Sequence, residues 1–355
     1  MPMAKTRHPN INFQLKNELR NMFSPGESKK EAMAETNRLR AIRKKELVEQ
    51  GYSKKEAHRL SMDICTYRDK IYTDSTLYRH QKSADVFGQF CKETLGTKRI
   101  SMEKAKLHMQ EFVDWSVNKN HSASTTKTYL AGVCKALQLN ISDYDKPKCY
   151  TSEFTRGTKP AKNDAYNEVR AKKALDTNSI IGVRRSELGR IKVSDIDFIS
   201  PDYAEIHTIG KGGKHNTNVL FTTEDVAKLK TYVDDAISKG QAYLLTKEEM
   251  QNDADLHSMR AKKAKAVYEH VCADIAAHPE RRDYYISEIH KTFQKAGKVL
   301  REDLSKDYVC IGKNRQRLIS QGRSYTFDRV AVMIVSCWVT NHFRSNVTVN
   351  NYIAK

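Results

Sequence analysis

Apolar residues between positions 72 and 139 recur every three or four positions, and this pattern ends at a cationic stretch that contains Pro147, Gly157 and Pro160. Such spacing places the apolar side chains on one face of each helix and predicts a small helical bundle. Proline and glycine among basic residues are typical of an exposed connection. We therefore predict a helical domain over residues 72–145, a basic linker over 146–163 and a further domain over 164–355. The apolar positions of the bundle are Leu77, Ala84, Phe87, Phe90, Cys91, Met102, Ala105, Met109, Phe112, Val113, Tyr129, Val133, Ala136 and Leu137.

The first 71 residues form a basic region in which one short motif occurs twice. The sequence GESKKEA at 26–32 recurs as GYSKKEA at 51–57. In each copy the Ser can cap a helix while the Glu three positions later returns to its amide, so we predict helices that begin after Ser28 and Ser53. Because their faces are mostly polar, two interpretations stay open: the region orders against DNA or another protomer, or it consists of solvated helices without a ligand. We expect the remaining core to fold without residues 1–70. Within the bundle, Ser101 and Ser124 lie where further N-caps are expected.

The last 190 or so residues show mixed patterns. Residues 203–209 alternate like a strand, a glycine- and lysine-rich turn follows at 210–214, and residues 217–221 form a second short strand, which together predict a hairpin. Most of the remainder has helical spacing. The apolar run 330–339 is too short for a membrane span of about 20 residues and predicts a buried helix. The expected fold class is therefore mainly α with a small antiparallel β-sheet (α+β).

The charge of the chain indicates an anionic partner. Lys and Arg number 62 against 43 Asp and Glu, which gives a net charge of +19 and a pI near 9.5. Nucleic acid is the leading candidate; an anionic membrane is disfavoured because the excess is spread along the chain, not gathered in one amphipathic helix or polybasic block. Seven cysteines without a CxxC pair indicate neither a zinc site nor a disulfide framework, and no secretory signal is evident. We expect a cytoplasmic, nucleoid-associated protein without metal or cofactor.

Four polar islands could carry chemistry. They are Gly182–Leu188, the lysines of the turn 210–214, the HxxR sequence at 257–260, and His342-Phe343-Arg344 followed by Tyr352. Each is common by itself, since a lone histidine or arginine is usually a packed or surface residue. Their order along the chain carries more information than any one of them.

This order resembles the catalytic signature of the tyrosine recombinase (integrase) family over about half of the chain. The resemblance implies a helical core-binding DNA-binding domain at 72–145, a catalytic domain at 164–355, and a C-shaped clamp around DNA. Lys211 corresponds to the hairpin lysine, and Lys214 is a competing candidate. The implied catalytic residues are Arg184, Lys211, His257, Arg260, His342 and the nucleophile Tyr352.

Three departures from the family pattern concern the surroundings of these residues. Ala261 replaces the His that often follows the second arginine, and Thr340-Asn341 replaces the usual Leu-Gly before the last histidine. His257 and His342 lie 85 positions apart, which is long for the family and implies an insertion of helical character at about 278–320.

The chemistry accounts for these residue types. Guanidinium groups match the charge that develops on the non-bridging phosphate oxygens when a tyrosine attacks, a lysine can protonate the leaving 5′ oxygen, and His257 can exchange a proton with the nucleophile. The resemblance therefore implies a site-specific recombinase, the integrase of a mobile genetic element, that acts as a homotetramer on double-stranded DNA through a 3′-phosphotyrosine. The expected DNA-binding residues are Lys146, Lys148, Arg156, Lys159, Lys162 and Lys214.

Other interpretations stay open. A catalytically inactive DNA-binding regulator of the same fold and a type IB topoisomerase-like strand transferase share much of this pattern. A relaxase with Tyr284-Tyr285 as nucleophiles is disfavoured because no histidine cluster for a metal accompanies them.

Overall fold

The computed structural model describes residues 9–150, 164–210, 212–251 and 254–354, and the chain divides into two compact units, Met1–Cys149 and Tyr150–Lys355. The division falls within the linker that the sequence predicts at 146–163. Each unit has a hydrophobic core of its own. In the described part of the chain, no helix has the length and apolarity that a membrane span requires.

The first unit is a helical bundle. Its centre is formed by apolar residues at the predicted spacing, with Phe87 and Phe112 in an edge-to-face contact at 5.0 Å between ring centroids. A 3-10 turn at Ile141–Asp143 follows the last helix. The helices are α1 (Ile11–Asn21), α2 (Lys29–Glu49), α3 (Lys54–Ser61), α4 (Asp74–Thr94), α5 (Met102–Leu107), α6 (Met109–Asn118) and α7 (Ala123–Leu137).

Helix α1 differs from the expectation that residues 1–71 lie outside this bundle. Ile11, Leu15 and Leu19 are fully buried in the same core as the α4 and α7 residues. The reason is the spacing of these three residues, which recur every four positions and place one apolar stripe on the helix. The predicted boundary at 71/72 therefore does not coincide with the edge of the bundle core.

Helices α2 and α3 belong to a segment, residues 25–69, that contributes no residue to the bundle core and is called the α2–α3 excursion below. The Ile71 amide donates to the Met22 carbonyl at 2.7 Å, and the Ser24 amide donates to the Ile71 carbonyl at 2.9 Å, so the chain leaves and returns at one place. The predicted helix starts are confirmed: the Ser28 and Ser53 hydroxyls each accept from the amide three residues later. The predicted return contact of the Glu forms at Ser53, whose amide donates to Glu56 at 3.2 Å, and does not form at Ser28. In α7 the cap is Ser122, two positions before the predicted Ser124.

The second unit combines helices with a three-stranded antiparallel sheet, which confirms the expected fold class. The predicted strand 203–209 is confirmed, and it pairs with its neighbour from Ala204 opposite Leu220 to Ile209 opposite His215. The first strand has no counterpart among the sequence predictions. The elements are α8 (Asp164–Ile181), α9 (Arg185–Leu188), β1 (Ile196–Ser200), β2 (Tyr203–Ile209), β3 (His215–Leu220), α10 (Thr223–Ser238), α11 (Lys247–Met250), α12 (Leu256–Ala277), α13 (Arg281–Lys295), β4 (Tyr308–Val309), α14 (Gly312–Ser320), β5 (Thr326–Phe327), α15 (Arg329–Ile334) and α16 (Ser345–Thr348).

The centre of this unit is the apolar run 330–339. It forms α15 and a π-helical turn at Val335–Val339, and all its residues are buried, which confirms the predicted core helix. The predicted insertion at 278–320 contains α13, β4 and α14. Its residues Tyr285, Ile289 and Phe293 pack into the same core. The insertion is therefore an integral part of the unit that carries the site.

Candidate active site

The ring of Tyr352 lies among three of the side chains that the sequence singles out. Its centroid is 5.6 Å from the His257 ring, 5.5 Å from the His342 ring and 5.6 Å from the Arg260 guanidinium carbon. Tyr352 is 6% exposed and belongs to the π-helical turn Val349–Ile353. Residues that are far apart in the sequence thus surround one tyrosine.

Arg184 is the N-cap residue of the short helix α9 and is joined to this group through His342. Its Nη2 lies 3.1 Å from His342 Nε2, while its Nη1 donates to Glu187 Oε1 at 2.5 Å. The Arg184 amide also donates to Glu187 Oε2 at 2.8 Å, so the backbone and the side chain are held by one carboxylate. The Arg184 side chain is still 38% exposed, which leaves a cationic edge open to solvent.

Arg260 is buried, and backbone carbonyls and one carboxylate contact its guanidinium group. It is 1% exposed, its Nη1 donates to the Gly182 carbonyl at 3.0 Å, and its Nη2 donates to the Thr340 carbonyl at 2.7 Å. Nη1 also lies 3.5 Å from Glu187 Oε2, so one carboxylate bridges both arginines. Burial lowers the pKa of Arg260, an effect that the charges of Tyr352 and Glu187 partly offset. A bidentate contact from Nη1 and Nη2 to a phosphate requires these carbonyl contacts to be replaced, whereas Nε has no hydrogen-bond partner among the described residues.

The backbone around Arg260 depends on Gly182. This glycine has φ +74°, and a Cβ placed there would lie 2.9 Å from a methyl group of Val339. Glycine alone meets both conditions without strain. The adjoining loop is fixed by the buried Asn178, which accepts from the Val183 amide at 2.9 Å and donates to the Leu256 carbonyl at 2.7 Å. The loop that carries Arg184 is thereby joined to the start of the helix that carries His257 and Arg260.

His342 is a neutral acceptor in this environment. Burial, and then the charges of Arg260 and Arg184, lower the pKa of His342 to about 4. The neutral ring can accept from Arg184 through Nε2, which places the ring proton on Nδ1. Nδ1 is buried and has no hydrogen-bond partner among the described residues.

Of the two hairpin lysines, Lys211 lies outside the described residues and Lys214 lies at the site. The Lys214 ammonium is 4.6 Å from the centroid of the Phe343 ring and 3.5 Å from the Asn341 carbonyl oxygen. Burial lowers the pKa of Lys214, and the nearby Arg184 acts in the same direction. Lys214 is thus placed beside the histidine and arginine that surround Tyr352.

The residues predicted to bind DNA in the linker are only partly described. Lys148 is exposed, whereas the Lys146 ammonium donates to the carbonyls of Ile141 at 2.7 Å and Tyr144 at 3.0 Å. In this arrangement Lys146 stabilises the end of the bundle. Arg156, Lys159 and Lys162 lie outside the described residues.

Two further residues belong to the site. Glu187 lies in the island Gly182–Leu188, and its position three residues after Arg184 is the signal for its role. Lys298, from the insertion, places its amine 3.7 Å from the Phe343 ring centroid. No sequence pattern marks Lys298, because its position depends on how the insertion folds back.

The end of the chain is also held by the insertion. Arg317 of α14 donates from Nη2 to the Ala354 carbonyl at 2.5 Å, two residues after Tyr352. This contact positions the turn that carries the tyrosine.

No protein-family model matches the sequence, and no curated protein matches it. Among solved structures, the chain is similar to the XerH site-specific recombinase bound to difH substrate in a pre-cleavage complex, with 14% identity, a TM-score of 0.44, and coverage of 100% of this chain and 95% of that chain. It is also similar to the XerH recombinase bound to palindromic difH substrate in a post-cleavage complex (13% identity, TM-score 0.39, coverage 99% and 94%). A third similar structure is the XerA recombinase (14% identity, TM-score 0.23, coverage 79% and 88%).

Proposed function

We propose that the chain is a site-specific tyrosine recombinase that cuts and rejoins double-stranded DNA, with Tyr352 as the nucleophile. The observation that carries this proposal is the convergence of His257, Arg260 and His342 on the Tyr352 ring, at 5.5 to 5.6 Å. Arg184 joins the group through its contact with His342. This set of residue types is suited to phosphoryl transfer by a tyrosine, because it combines a nucleophile, proton carriers and fixed positive charge.

In the proposed reaction the Tyr352 oxygen attacks a backbone phosphorus and the bond from phosphorus to the 5′ oxygen breaks. The tyrosine proton passes to His257, and the leaving 5′ oxygen receives a proton from Lys211 or Lys214. Arg184 and Arg260 balance the charge on the non-bridging oxygens. The 3′-phosphotyrosine keeps the bond energy for rejoining, so no cofactor or metal is needed.

The wider role follows the family resemblance. We propose that the protein is the integrase of a mobile genetic element and works as a homotetramer on two duplexes, in the cytoplasm at the nucleoid. The net charge of +19 supports a polyanionic partner.

A DNA-binding regulator without catalysis is the second candidate. It is favoured by the burial of Tyr352 and by the carbonyl contacts that Nη1 and Nη2 of Arg260 make. For catalysis, DNA binding must expose the tyrosine and replace those contacts with a phosphate.

The deciding experiment is covalent capture. The protein is incubated in excess EDTA with a pool of labelled duplexes of random sequence, each nicked so that cleavage releases a short fragment, and adducts are resolved on a denaturing gel. We expect an adduct in the parent protein and in the control Tyr325→Phe, a half-buried tyrosine of the same unit. Tyr352→Phe should bind the pool equally well and form no adduct.

Each other outcome selects a different interpretation. Binding without any adduct supports the regulator. An adduct that persists in Tyr352→Phe contradicts the assignment of the nucleophile. Relaxation of supercoiled plasmid irrespective of sequence supports a topoisomerase-like transferase. Strict dependence of the cleavage step on a divalent metal contradicts the proposed chemistry, because the cations of the site would then be insufficient.

A further inference from the structure

A cluster of cations borders His342. Lys298, Arg301 and Arg344 line an open cleft together with His342 and Phe343, and Lys214 reaches the same ring. Among the residues that the structure describes, no carboxylate forms an ion pair with any of these four cations. The cluster therefore has a net positive charge that the protein itself does not neutralise.

The nearest acidic residue of this segment is committed elsewhere. Glu302 accepts from the Ser345 amide at 2.9 Å and from the Ser345 hydroxyl, and it lies 3.8 Å from Arg329. It holds the backbone of the segment against the start of α16. The Glu302 carboxylate therefore does not pair with the cations of the cluster. A cluster of unpaired cations on a fixed backbone is the arrangement expected of an anion-binding site.

Lys214 and Lys298 come from different elements and approach one aromatic ring. Their amines are 4.6 and 3.7 Å from the Phe343 centroid. The ring is held by an edge-to-face contact with Phe293 at 5.2 Å and by a left-handed backbone, φ +59°, at Phe343. Cation–π attraction offsets part of the repulsion between the two amines.

We propose that Lys298 is a DNA phosphate-binding residue, which forms with Lys214 a site for the backbone phosphodiester next to the one that Tyr352 attacks. This inference rests on the proposed function, since it takes DNA as the ligand. The two sites are adjacent because His342 lines the cleft and also contacts the Tyr352 ring at 5.5 Å. The insertion thus supplies a phosphate contact that the four polar islands do not contain.

The site makes DNA binding depend on pH in a defined direction. The titratable and charged groups around Lys298 are Lys214, Arg301, His342, Arg344 and the buried thiol of Cys337. Burial, and then the charge of Lys214, lower the pKa of Lys298 to about 8. A bound phosphate favours the protonated amine, so binding takes up a proton, and affinity falls as the pH rises above 8.

The test measures binding alone, in a Tyr352→Phe background that prevents cleavage. The affinity for a labelled 30-base-pair duplex of mixed sequence is measured at pH 7, 8 and 9 and constant ionic strength. We expect the affinity of the background protein to fall several-fold between pH 7 and pH 9. Lys298→Met should weaken binding about five- to tenfold at pH 7 and flatten the pH dependence, as expected for one lost phosphate contact. Lys298→Arg should bind the duplex at pH 9 with the same affinity as at pH 7, because arginine does not lose its proton in this range.

The control is Lys291→Met, which removes an exposed lysine of α13 that pairs with Glu288 in the same helix. It should leave the pH dependence unchanged, and the urea midpoint of each variant checks that folding is intact. If Lys298→Met binds with the affinity and pH dependence of the background protein, the phosphate site is overturned while the proposed function stands. If the background protein binds no duplex, both the phosphate site and the proposed function are contradicted. A missing covalent adduct in the capture experiment, with these binding results intact, overturns only the catalysis.

Discussion

At the scale of single residues, the candidate site is organised around a buried carboxylate. Glu187 is 3% exposed and contacts the Arg184 backbone, the Arg184 side chain and the Arg260 guanidinium. Without it, Arg260 would be a buried cation near a second cation, a combination that costs several kcal/mol. The positions of both arginines therefore depend on one side chain.

Glu187→Gln tests this dependence. The amide keeps the shape and one acceptor but loses the negative charge, so we expect a loss of about 1–3 kcal/mol in the free energy of unfolding. We also expect a loss of covalent adduct that exceeds the loss of DNA binding. Urea denaturation and the capture assay measure the two effects. Glu35→Gln, which removes an exposed partner of Arg38, is the matched control and should leave the free energy of unfolding nearly unchanged, because solvent screens this pair. Equal effects of the two substitutions would contradict the bridging role.

His342 gives the site a stability that depends on pH. Its pKa in the folded protein is about 4, below the ordinary value of 6.5, so the unfolded chain binds the proton more readily. The contribution of neutral His342 is complete above pH 6.5 and decreases as the pH falls towards 4. We expect the urea midpoint of the parent protein to fall more steeply over this window than that of His342→Gln, which cannot titrate. Parallel curves for the two proteins would show that His342 does not stay neutral.

At the scale of elements, the two N-terminal segments should have opposite importance. Helix α1 provides three fully buried side chains to the bundle core, each worth about 1.5–3 kcal/mol, which together approach the whole stability of a domain. The α2–α3 excursion leaves and returns through the contacts between Met22, Ser24 and Ile71. It can therefore be removed without opening the core.

The prediction compares two deletions. Deletion of residues 1–23 should unfold the bundle, whereas replacement of residues 25–69 by a linker of about eight Gly and Ser residues should leave a folded protein with weaker DNA binding. Circular dichroism and urea titration measure folding, and a duplex-binding assay measures the second effect. Unfolding by the second deletion would place the excursion within the bundle core and contradict the prediction.

The features that the sequence predicts are those set by residues close together in the chain. Ser28 and Ser53 cap helices through bonds three residues away, so both were predictable. The spacing of Ile11, Leu15 and Leu19 is equally visible in the sequence. The basic composition of residues 1–71, however, favours a region outside the bundle, and this expectation is wrong for α1. The motif order singles out the three side chains that lie around Tyr352, which are His257, Arg260 and His342, and their catalytic roles stay predictions. Lys298 could not be predicted, since its contact with Phe343 depends on the tertiary path of the insertion and on a left-handed backbone that no motif encodes.

At the scale of the whole molecule, the chain consists of two units that are both basic and both self-contained. Residues 1–149 carry 28 Lys and Arg against 17 Asp and Glu, and residues 150–355 carry 34 against 26. Each unit has its own hydrophobic core, so neither requires the other to bury its apolar residues. Two tethered basic units can contact one duplex together, and the tether makes the second contact intramolecular.

We therefore expect the fragments 1–149 and 150–355 each to unfold cooperatively, and the full chain to bind a duplex more tightly than either fragment. The gain should be about 10²-fold or more at low salt, because the second unit binds at a high effective concentration. It should shrink as salt rises, since the full chain releases more counterions than each fragment and has the steeper slope of log affinity against log salt. Calorimetry of the fragments and binding titrations between 50 and 200 mM salt measure both effects. If one fragment reproduces the affinity and the salt slope of the full chain, the other unit does not contact DNA, and the two-unit mode of binding is wrong.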